Sequence, residues 1–280
     1  MIKLMYITNS VDIARIVEDF GVERIFVDME YIGKDIRQGG MNTVQNHHTV
    51  EDVKAIRKAI SKAELLVRCN PIHEKSEGNL SSKEEIDAIV ESGADIIMLP
   101  YFKTVEEVKI FVDLVGGRAK TMPLVETAEA VAVIDDILEI DGIDEIFIGL
   151  NDLSLSYGMS FMFELLSNGL VETLCKKFKA KGIPYGFGGI ASLGKGLLNS
   201  EMVIKEHYRL GSTSAILSRS FCNSCNYENL GQISEIFNVE LGKIRELEKF
   251  CAKGEIDFVS NQEHVKNRVN EIVSKMGKQQ

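Results

Sequence analysis

Short apolar segments alternate with amphipathic segments along most of the chain. The apolar segments are typical of strands buried on both faces, and the segments between them repeat apolar residues at the three- and four-residue spacing of helices. The predicted strands cover residues 4–8, 24–28, 65–70, 95–100, 121–126, 145–150, 184–188 and 213–217. The predicted helices cover residues 11–20, 50–62, 83–92, 104–115, 128–139, 162–181 and 197–209. Strands that alternate with helices pair in parallel, because each return to the sheet needs a crossover.

Eight such strands match a (β/α)8 TIM barrel in number and in length. A doubly wound sheet is the alternative, but no G-x-G-x-x-G follows the first strand, and the barrel is therefore favoured. We expect the barrel to occupy residues 1–222 and a helical extension to occupy residues 223–280. The extension contains an amphipathic helix over residues 228–252 and a last helix capped by Ser260. Their apolar faces could pack on the barrel or on a neighbouring subunit.

Charge and cysteine content limit the molecules that the protein could bind and indicate its compartment. The chain has 42 acidic and 32 basic residues, a net charge of −10, which argues against nucleic acid and anionic membrane surfaces. No apolar run approaches the length of a membrane span, and the first ten residues are too strand-like for a signal peptide. Five scattered cysteines fit a reducing compartment, so we expect a cytoplasmic protein.

Polar and charged residues cluster where the predicted strands end. In a barrel the carboxyl ends of the strands form the active-site edge. The residues at this edge are Asn9, Ser10, Asp28, Glu30, Arg68, Asn70, Pro100, Tyr101, Glu126, Asn151 and Asp152. Charged groups at the ends of apolar strands are costly to hold near one another unless a cation and a substrate are shared among them.

The segment over residues 120–158 is a strand–helix–strand unit with a carboxylate at the end of each strand. These carboxylates are Glu126 and Asp152. Two oxygen ligands, with the remaining positions left to water and substrate, suit Mg²⁺ or Mn²⁺. The alternative is that both acids are solvated loop residues, or that Thr127 and Asp152 cap helices.

A long loop follows the second predicted strand, and it contains His47 and His48. Long loops on this side of a barrel usually carry function or cover a site. Either histidine could serve as a general base near neutral pH. Alternatively, Thr49 caps the next helix and the histidines simply precede it on the surface.

Three other features of the sequence give weaker indications of a functional site. Cys222 and Cys225 form a C-x-x-C, but no second pair completes a zinc site. The predicted third, fourth and sixth strands contain no lysine, which Schiff-base chemistry at the rim would need. The glycine-rich run over residues 186–196 could cradle a phosphate, although a flexible turn is the favoured interpretation.

Several segments resemble the HpcH/HpaI aldolase and citrate lyase β-subunit family of phosphoenolpyruvate/pyruvate barrels. They are FVDMEY at 26–31, VRCNP at 67–71, SGADIIMLPYFKTVEEV at 92–108, LVETAEAV at 124–131 and IDEIFIGLNDLSLSYG at 143–158. The resemblance covers about residues 10–220. It implies that Glu126 and Asp152 bind Mg²⁺ or Mn²⁺, and that Arg68 binds the pyruvoyl oxygens and stabilises an enolate.

The function implied by this resemblance is a metal-dependent carbon–carbon lyase of the class II aldolase type. Such an enzyme cleaves or forms a 4-hydroxy-2-oxo acid through a pyruvate enolate, with a pyruvate-like 2-oxo acid and an unidentified aldehyde as its partners. An acyl-CoA lyase of the citramalyl-CoA, malyl-CoA or citrate lyase type is the alternative within enzymes. A catalytically weakened barrel that acts as a binding or scaffold subunit is the alternative outside them. The resemblance also implies a homo-oligomer, either a hexamer or a dimer-based assembly.

One position departs from the family pattern. Aldolase members have a histidine directly after the motif glutamate, paired with the aspartate that corresponds to Asp28, whereas this chain has Tyr31. A tyrosine with an ordinary pKa near ~10 is a poor general base at neutral pH. Either a loop histidine replaces the missing base, or Tyr31 acts by hydrogen bonding, or lyase activity is lost; the first is favoured. The predicted catalytic residues are Asp28, Tyr31, His47, His48 and Arg68, and the predicted substrate-binding residues are Glu30, Arg68, Asn70, Pro100 and Asn151.

Overall fold

A computed structural model describes residues 1–33, 48–76, 78–223 and 229–277 of the chain. Its strands are β1 (Lys3–Ile7), β2 (Arg24–Asp28), β3 (Glu64–Arg68), β4 (Ile96–Leu99), β5 (Lys120–Val125), β6 (Ile146–Ile148), β7 (Tyr185–Ile190) and β8 (Ser214–Leu217). They form a closed barrel in the order β1 to β8, which confirms the predicted (β/α)8 fold. Neighbouring strands pair in parallel; for example, β2 pairs with β3 in register from Arg24↔Glu64 to Asp28↔Arg68.

Helices follow the strands throughout the described ranges. They are α1 (Val11–Asp19), α2 (Val50–Ala59), α3 (Ser82–Glu91), α4 (Val105–Val115), α5 (Ala128–Ala132), α6 (Ile134–Ile137), α7 (Leu150–Ser156), α8 (Glu164–Ser167), α9 (Leu170–Lys181), α10 (Ser200–Leu210), α11 (Leu230–Ala252) and α12 (Phe258–Met276). Helices α2, α3 and α4 each begin with a capping box, and Thr49 is the N-cap of α2 as predicted. No helix among these combines the length and the apolar character that crossing a membrane requires.

The helices differ from the predicted ones at four places. The predicted helix over residues 128–139 is divided into α5 and α6. The predicted helix over residues 162–181 is divided into α8 and α9, because Gly169 between them has a left-handed backbone with φ 86°. Helix α7, which the sequence pattern did not predict, follows β6 directly. The last helix begins earlier than predicted, since its N-cap is Asp257, whose side chain accepts a hydrogen bond from the Ser260 N–H at 3.0 Å.

The chain divides into two compact units. The first unit comprises Tyr6–Val125 and Glu129–Ile146, and the second comprises Met1–Met5, Glu126–Ala128 and Phe147–Gln280. In the first unit β2 and β4 are buried at every residue, as expected for barrel strands covered on both faces.

An ion-pair network lies at the amino ends of strands in the first unit. The buried Arg24 guanidinium donates from Nη1 and Nη2 to both carboxylate oxygens of Glu145, with Nη1 at 2.8 Å. Its Nε donates to Glu64 at 2.8 Å, and Lys120 Nζ lies 2.7 Å from the other oxygen of Glu64. Arg24, Glu64 and Lys120 are each the first residue of a strand, so the parallel register brings them to one edge. This edge is opposite the one at which barrels build active sites.

Three glycines of the second unit belong to β7 rather than to a turn. A side chain at Gly186 would place its Cβ against Ser214 and 2.7 Å from the ring of Phe147. At Gly188, where φ is +54°, it would meet the side chain of Leu150 at 2.7 Å. Close packing therefore accounts for Gly186 and Gly188, which belong to the strand predicted over residues 184–188, and the favoured interpretation as a turn was wrong at Gly189, which β7 includes.

The chain segments before β1 and after β8 contact each other within the second unit. The Ile2 N–H donates to Glu248 on α11 at 2.6 Å, and Arg245 on α11 donates to the Ile2 carbonyl at 2.9 Å. Helix α12 contacts α10 and α8. Its Asn261 donates to the fully buried Glu206 of α10 at 2.9 Å. Both long helices beyond β8 thus pack against their own chain.

Candidate active site

Arg68, the last residue of β3, is the centre of a charged cluster in the first unit. Its Nε and Nη2 donate to the two carboxylate oxygens of Asp28, each at 2.7 Å. Its Nη1 lies 3.2 Å from Glu30, and its guanidinium carbon lies 5.6 Å from the ring centroid of Phe26. The two-point contact with Asp28 fixes the plane of the guanidinium, which is the geometry that favours arginine for recognising carboxylates.

The side chains of this cluster have little exposure to solvent. The side chains of Asp28 and Glu30 are each 1% exposed, whereas that of Arg68 is 14% exposed. One guanidinium therefore faces two buried carboxylates, and part of the Arg68 side chain stays exposed to solvent. The contacts fix the orientation of the guanidinium at the carboxyl end of a barrel strand before any ligand arrives.

His48 contacts this cluster, and His47 lies outside the described residues. The Asp28 backbone N–H donates to Nδ1 of His48 at 3.0 Å. Because Nδ1 accepts this bond, neutral His48 carries its proton on Nε2 and presents a donor there. The contact places His48 beside Asp28 rather than on the open surface. It favours hydrogen bonding by His48 over general-base catalysis.

Tyr31 is not suited to act as a general base. Its hydroxyl donates to the side-chain oxygen of Asn79 at 2.9 Å, and the residue is 42% exposed. Partial burial, followed by the negative charge of Glu85, raises the pKa of Tyr31 above its ordinary value. Tyr31 therefore stays protonated at neutral pH and can act only through hydrogen bonds.

Asn70 connects the start of the long loop to α3 through a set of buried hydrogen bonds. Its side-chain oxygen accepts from the backbone N–H groups of Tyr31 and Ile32, both at 2.9 Å. Its side-chain nitrogen donates to Glu85 on α3 at 2.9 Å and lies 3.4 Å from the Met29 carbonyl. Glu85, whose pKa is raised chiefly by burial, was not predicted from the sequence. Asn70 thus holds the backbone that follows Glu30, and these contacts point to positioning.

Removing this side chain should destabilise the fold. Asn70→Ala leaves the backbone N–H groups of Tyr31 and Ile32 without their acceptor and removes one of the two hydrogen bonds that Asn70 donates to Glu85, since the backbone N–H still donates at 3.1 Å. The free energy of unfolding should therefore fall by about 2–3 kcal/mol. Urea unfolding measures the effect. The matched control is Asn270→Ala, on an exposed face of α12, which should change the value by less than about 0.5 kcal/mol. Equal effects of the two substitutions would contradict the positioning role.

Glu126 and Asp152 both belong to the second unit. Glu126 directly follows β5 and is 3% exposed, and Asp152 is the third residue of α7. The Ala128 N–H donates to the Ser156 hydroxyl on α7 at 2.8 Å. Asp152 and Ser156 are four residues apart, so they lie on one face of α7. The hydrogen bond to Ser156 joins α7, the helix that carries Asp152, to the segment that directly follows Glu126.

The structure also places the remaining predicted residues. Asp152 is not an N-cap, because Gly149 occupies that position. Asn151 is exposed, and its side-chain nitrogen lies 3.1 Å from an Asp152 carboxylate oxygen. Pro100 is buried directly after β4. The N-terminal turn of α7 favours a carboxylate at Asp152, because unpaired backbone N–H groups give that end a partial positive charge.

The donor chemistry of Glu126 and Asp152 fits a hard divalent cation. Both offer carboxylate oxygens, and Mg²⁺ is usually held by one or two carboxylates while water and substrate complete its shell. Within the described ranges, no three His, Cys, Asp or Glu side chains are grouped so as to hold a metal ion. The arrangement therefore fits an ion that shares its coordination with a ligand, and it does not resemble a closed structural site.

Comparison with solved structures finds the same fold. An HpcH/HpaI aldolase from Desulfitobacterium hafniense DCB-2 is 16% identical, with a TM-score of 0.58 over 83% of this chain and 92% of its own. An HpcH/HpaI aldolase/citrate lyase family protein from Burkholderia cenocepacia J2315 is 15% identical, with a TM-score of 0.60 over 82% and 93%. The citrate synthase SbnG is 17% identical, with a TM-score of 0.57 over 88% and 94%.

Comparison at the level of sequence identifies the family. No curated protein sequence matches the chain significantly. The sequence profile of the HpcH/HpaI aldolase/citrate lyase family matches residues 4–164, which is more than half of the chain and includes Asp28, Arg68, Glu126 and Asp152. The chain belongs to the HpcH/HpaI aldolase/citrate lyase family.

Proposed function

We propose that this protein is a divalent-metal-dependent carbon–carbon lyase that cleaves or forms a 4-hydroxy-2-oxo acid through a pyruvate enolate. The observation that carries the proposal is the hydrogen bond from Ala128 to Ser156, which joins α7, the helix that carries Asp152, to the segment that directly follows Glu126. The family generally depends on a divalent metal, and two oxygen ligands at strand ends suit that requirement. The substrates would be a pyruvate-like 2-oxo acid and an aldehyde.

Glu126 and Asp152 would hold Mg²⁺ or Mn²⁺. When bound, the ion would supply Lewis acidity toward the oxygens of the oxo acid. The protein's own part is to hold the two elements that carry these carboxylates together: the Ala128–Ser156 bond joins α7 to the segment that follows Glu126.

Arg68, whose side chain is partly exposed, would bind the oxo acid through its guanidinium. Asp28 orients that guanidinium, and Glu30 faces its Nη1. Negative charge that develops on an enolate would be opposed by a cation already in place, so little reorganisation accompanies the reaction. A planar guanidinium also matches a planar carboxylate in a way that the point charge of a lysine does not.

The proton that leaves the 4-hydroxyl needs a base, and the described residues narrow the choice. Tyr31 has a raised pKa, and His48 presents a donor at Nε2. His48 could hydrogen-bond an oxygen of the substrate without changing its protonation state. Of the two loop histidines predicted as bases, we therefore propose His47, which lies outside the described residues, as the base.

Exchange of deuterium into the methyl group of pyruvate, followed by NMR, tests the proposal without knowledge of the aldehyde. With Mg²⁺ or Mn²⁺ present, we expect exchange that chelation abolishes. Glu126→Gln should reduce it to background, and Arg68→Lys should slow it by about 10²–10³-fold because the oriented guanidinium is lost.

Two further variants complete the experiment. Asp136→Asn, a carboxylate-to-amide change at an exposed position of α6, should leave the exchange rate unchanged. His47→Ala should slow exchange more than His48→Ala does. Exchange that survives both chelation and Glu126→Gln would overturn the metal-dependent mechanism.

A further inference from the structure

Tyr101 has an unusual backbone at the active-site edge. It lies two residues after β4 and has φ of 50°, and no other non-glycine residue in the part of the chain that the structure describes has a positive φ. The left-handed conformation disfavours a residue with a Cβ by about 5–30-fold relative to ordinary conformations. A backbone of this kind persists only when the surrounding structure imposes it, and such residues concentrate at functional sites.

Neighbouring side chains hold the Tyr101 ring in place. Lys103 Nζ lies 5.3 Å from the ring centroid and 3.1 Å from a carboxylate oxygen of Glu129. The hydrogen bond to Glu129 raises the pKa of Lys103, so the ammonium that faces the ring stays charged. The ring is partly exposed, and its position is set by the backbone and by this cation together.

Within the first unit, Tyr101 follows the strand that neighbours Arg68. Strands β3 and β4 pair in register with Arg68 opposite Met98, and Tyr101 comes three residues after Met98. Tyr101 and Arg68 therefore leave adjacent strands at the same edge. A glycine would adopt this backbone without strain, so a tyrosine at this position is strained, and strained residues of this kind concentrate at functional sites.

We propose that Tyr101 contacts the substrate, its ring forming an apolar wall against the methyl or methylene carbon of the 2-oxo acid that Arg68 binds. This inference rests on the proposed function for the identity of the ligand. It assigns substrate selectivity to the loop after β4: small 2-oxo acids with an apolar third carbon fit against the ring, whereas charged groups at that carbon do not.

Pyruvate binding to Tyr101→Gly, Tyr101→Ala and Tyr101→Phe tests the inference, with Mg²⁺ as a diamagnetic ion. The methyl signal of pyruvate should show an upfield ring-current shift with the wild-type protein and with Tyr101→Phe. The shift should vanish, and the dissociation constant should rise about 10-fold, in Tyr101→Gly and Tyr101→Ala, because an apolar contact is lost. In urea unfolding, Tyr101→Gly should have an unfolding equilibrium constant at least about 5-fold lower than Tyr101→Ala, since only glycine relieves the backbone strain.

The outcomes separate this inference from the proposed function. Wild-type affinity and ring-current shift in Tyr101→Gly would overturn the role of Tyr101 and leave the lyase mechanism standing. Pyruvate that binds with the shift but never exchanges deuterium would contradict the lyase mechanism and support the contact with Tyr101. Absence of pyruvate binding to the wild-type protein would overturn both.

Discussion

Arg24→Ala should lower the free energy of unfolding by about 3–5 kcal/mol. The Arg24 side chain is 0% exposed and joins Glu145 and Glu64. Burial opposes its charge, but the hydrogen bonds and charges of Glu145 and then Glu64 outweigh that effect and raise the pKa of Arg24. Removing the guanidinium leaves the Glu145 carboxylate, 10% exposed, without the cation that compensates for its lost hydration. Urea unfolding at neutral pH gives the value.

Two comparisons make the Arg24 result specific. Arg268→Ala removes an exposed partner of Glu271 on α12 and should cost less than about 1 kcal/mol. The double variant Arg24→Met with Glu145→Leu replaces charges by apolar groups and should recover most of the lost stability. If the double variant is no more stable than Arg24→Ala, the loss of stability comes from the missing hydrogen bonds and not from a buried carboxylate without a cation.

Stability should also fall steeply in mild acid because of His207 on α10. The residue is 0% exposed, its ring stacks on Phe187 at a centroid distance of 3.8 Å, and its Nδ1 lies 2.8 Å from the Ser212 hydroxyl. Burial lowers the pKa of His207 from 6.5 to about 3. Below pH 6.5, His207 therefore binds a proton in the unfolded chain but not in the folded chain. The folded state loses stability as the pH falls toward 3.

The loss attributable to His207 is about 2 kcal/mol between pH 6.5 and 4.5, since each pH unit contributes up to about 1.4 kcal/mol. Urea unfolding of the wild type and of His207→Gln at a series of pH values measures it. His207→Gln is expected to be less stable at neutral pH, because the stacking is lost, but its stability should depend less on pH. His264→Gln, at an exposed position of α12, is the control and should keep the wild-type slope. Parallel slopes for His207→Gln and the wild type would refute the prediction.

The fold was predictable because barrel strands have a strong local signature. Strand β2 was predicted with its observed bounds, because all five of its residues are buried and the strand therefore begins and ends where this run does. Helix α7 was missed because its seven residues are too few to show a helical period, and it is fixed by tertiary contacts such as that of Ser156 with Ala128.

The candidate site was predictable in its members but not in their roles. The position at a strand end identified Arg68 and Asp28. The hydrogen bonds of Asn70 with Tyr31, Ile32 and Glu85 could not be predicted, because they depend on contacts between separate segments of the chain. A signal for Glu85 was present: it lies four residues before Ile89, so it shares the buried face of α3. Nothing local in the sequence indicates the left-handed backbone of Tyr101, because its cause lies in surrounding structure.

The bonds that join Ile2 to α11 have a consequence for how the protein is made. Residues 2 and 248 are 246 positions apart, so β1 cannot complete its contacts until nearly all of the described chain has left the ribosome. The first unit, whose strands β2 to β4 pair with near neighbours in sequence, can assemble earlier during synthesis. One edge of β1, which pairs with β8 in the completed barrel, must then wait unpaired, and chaperones that shield nascent apolar segments have most to protect there.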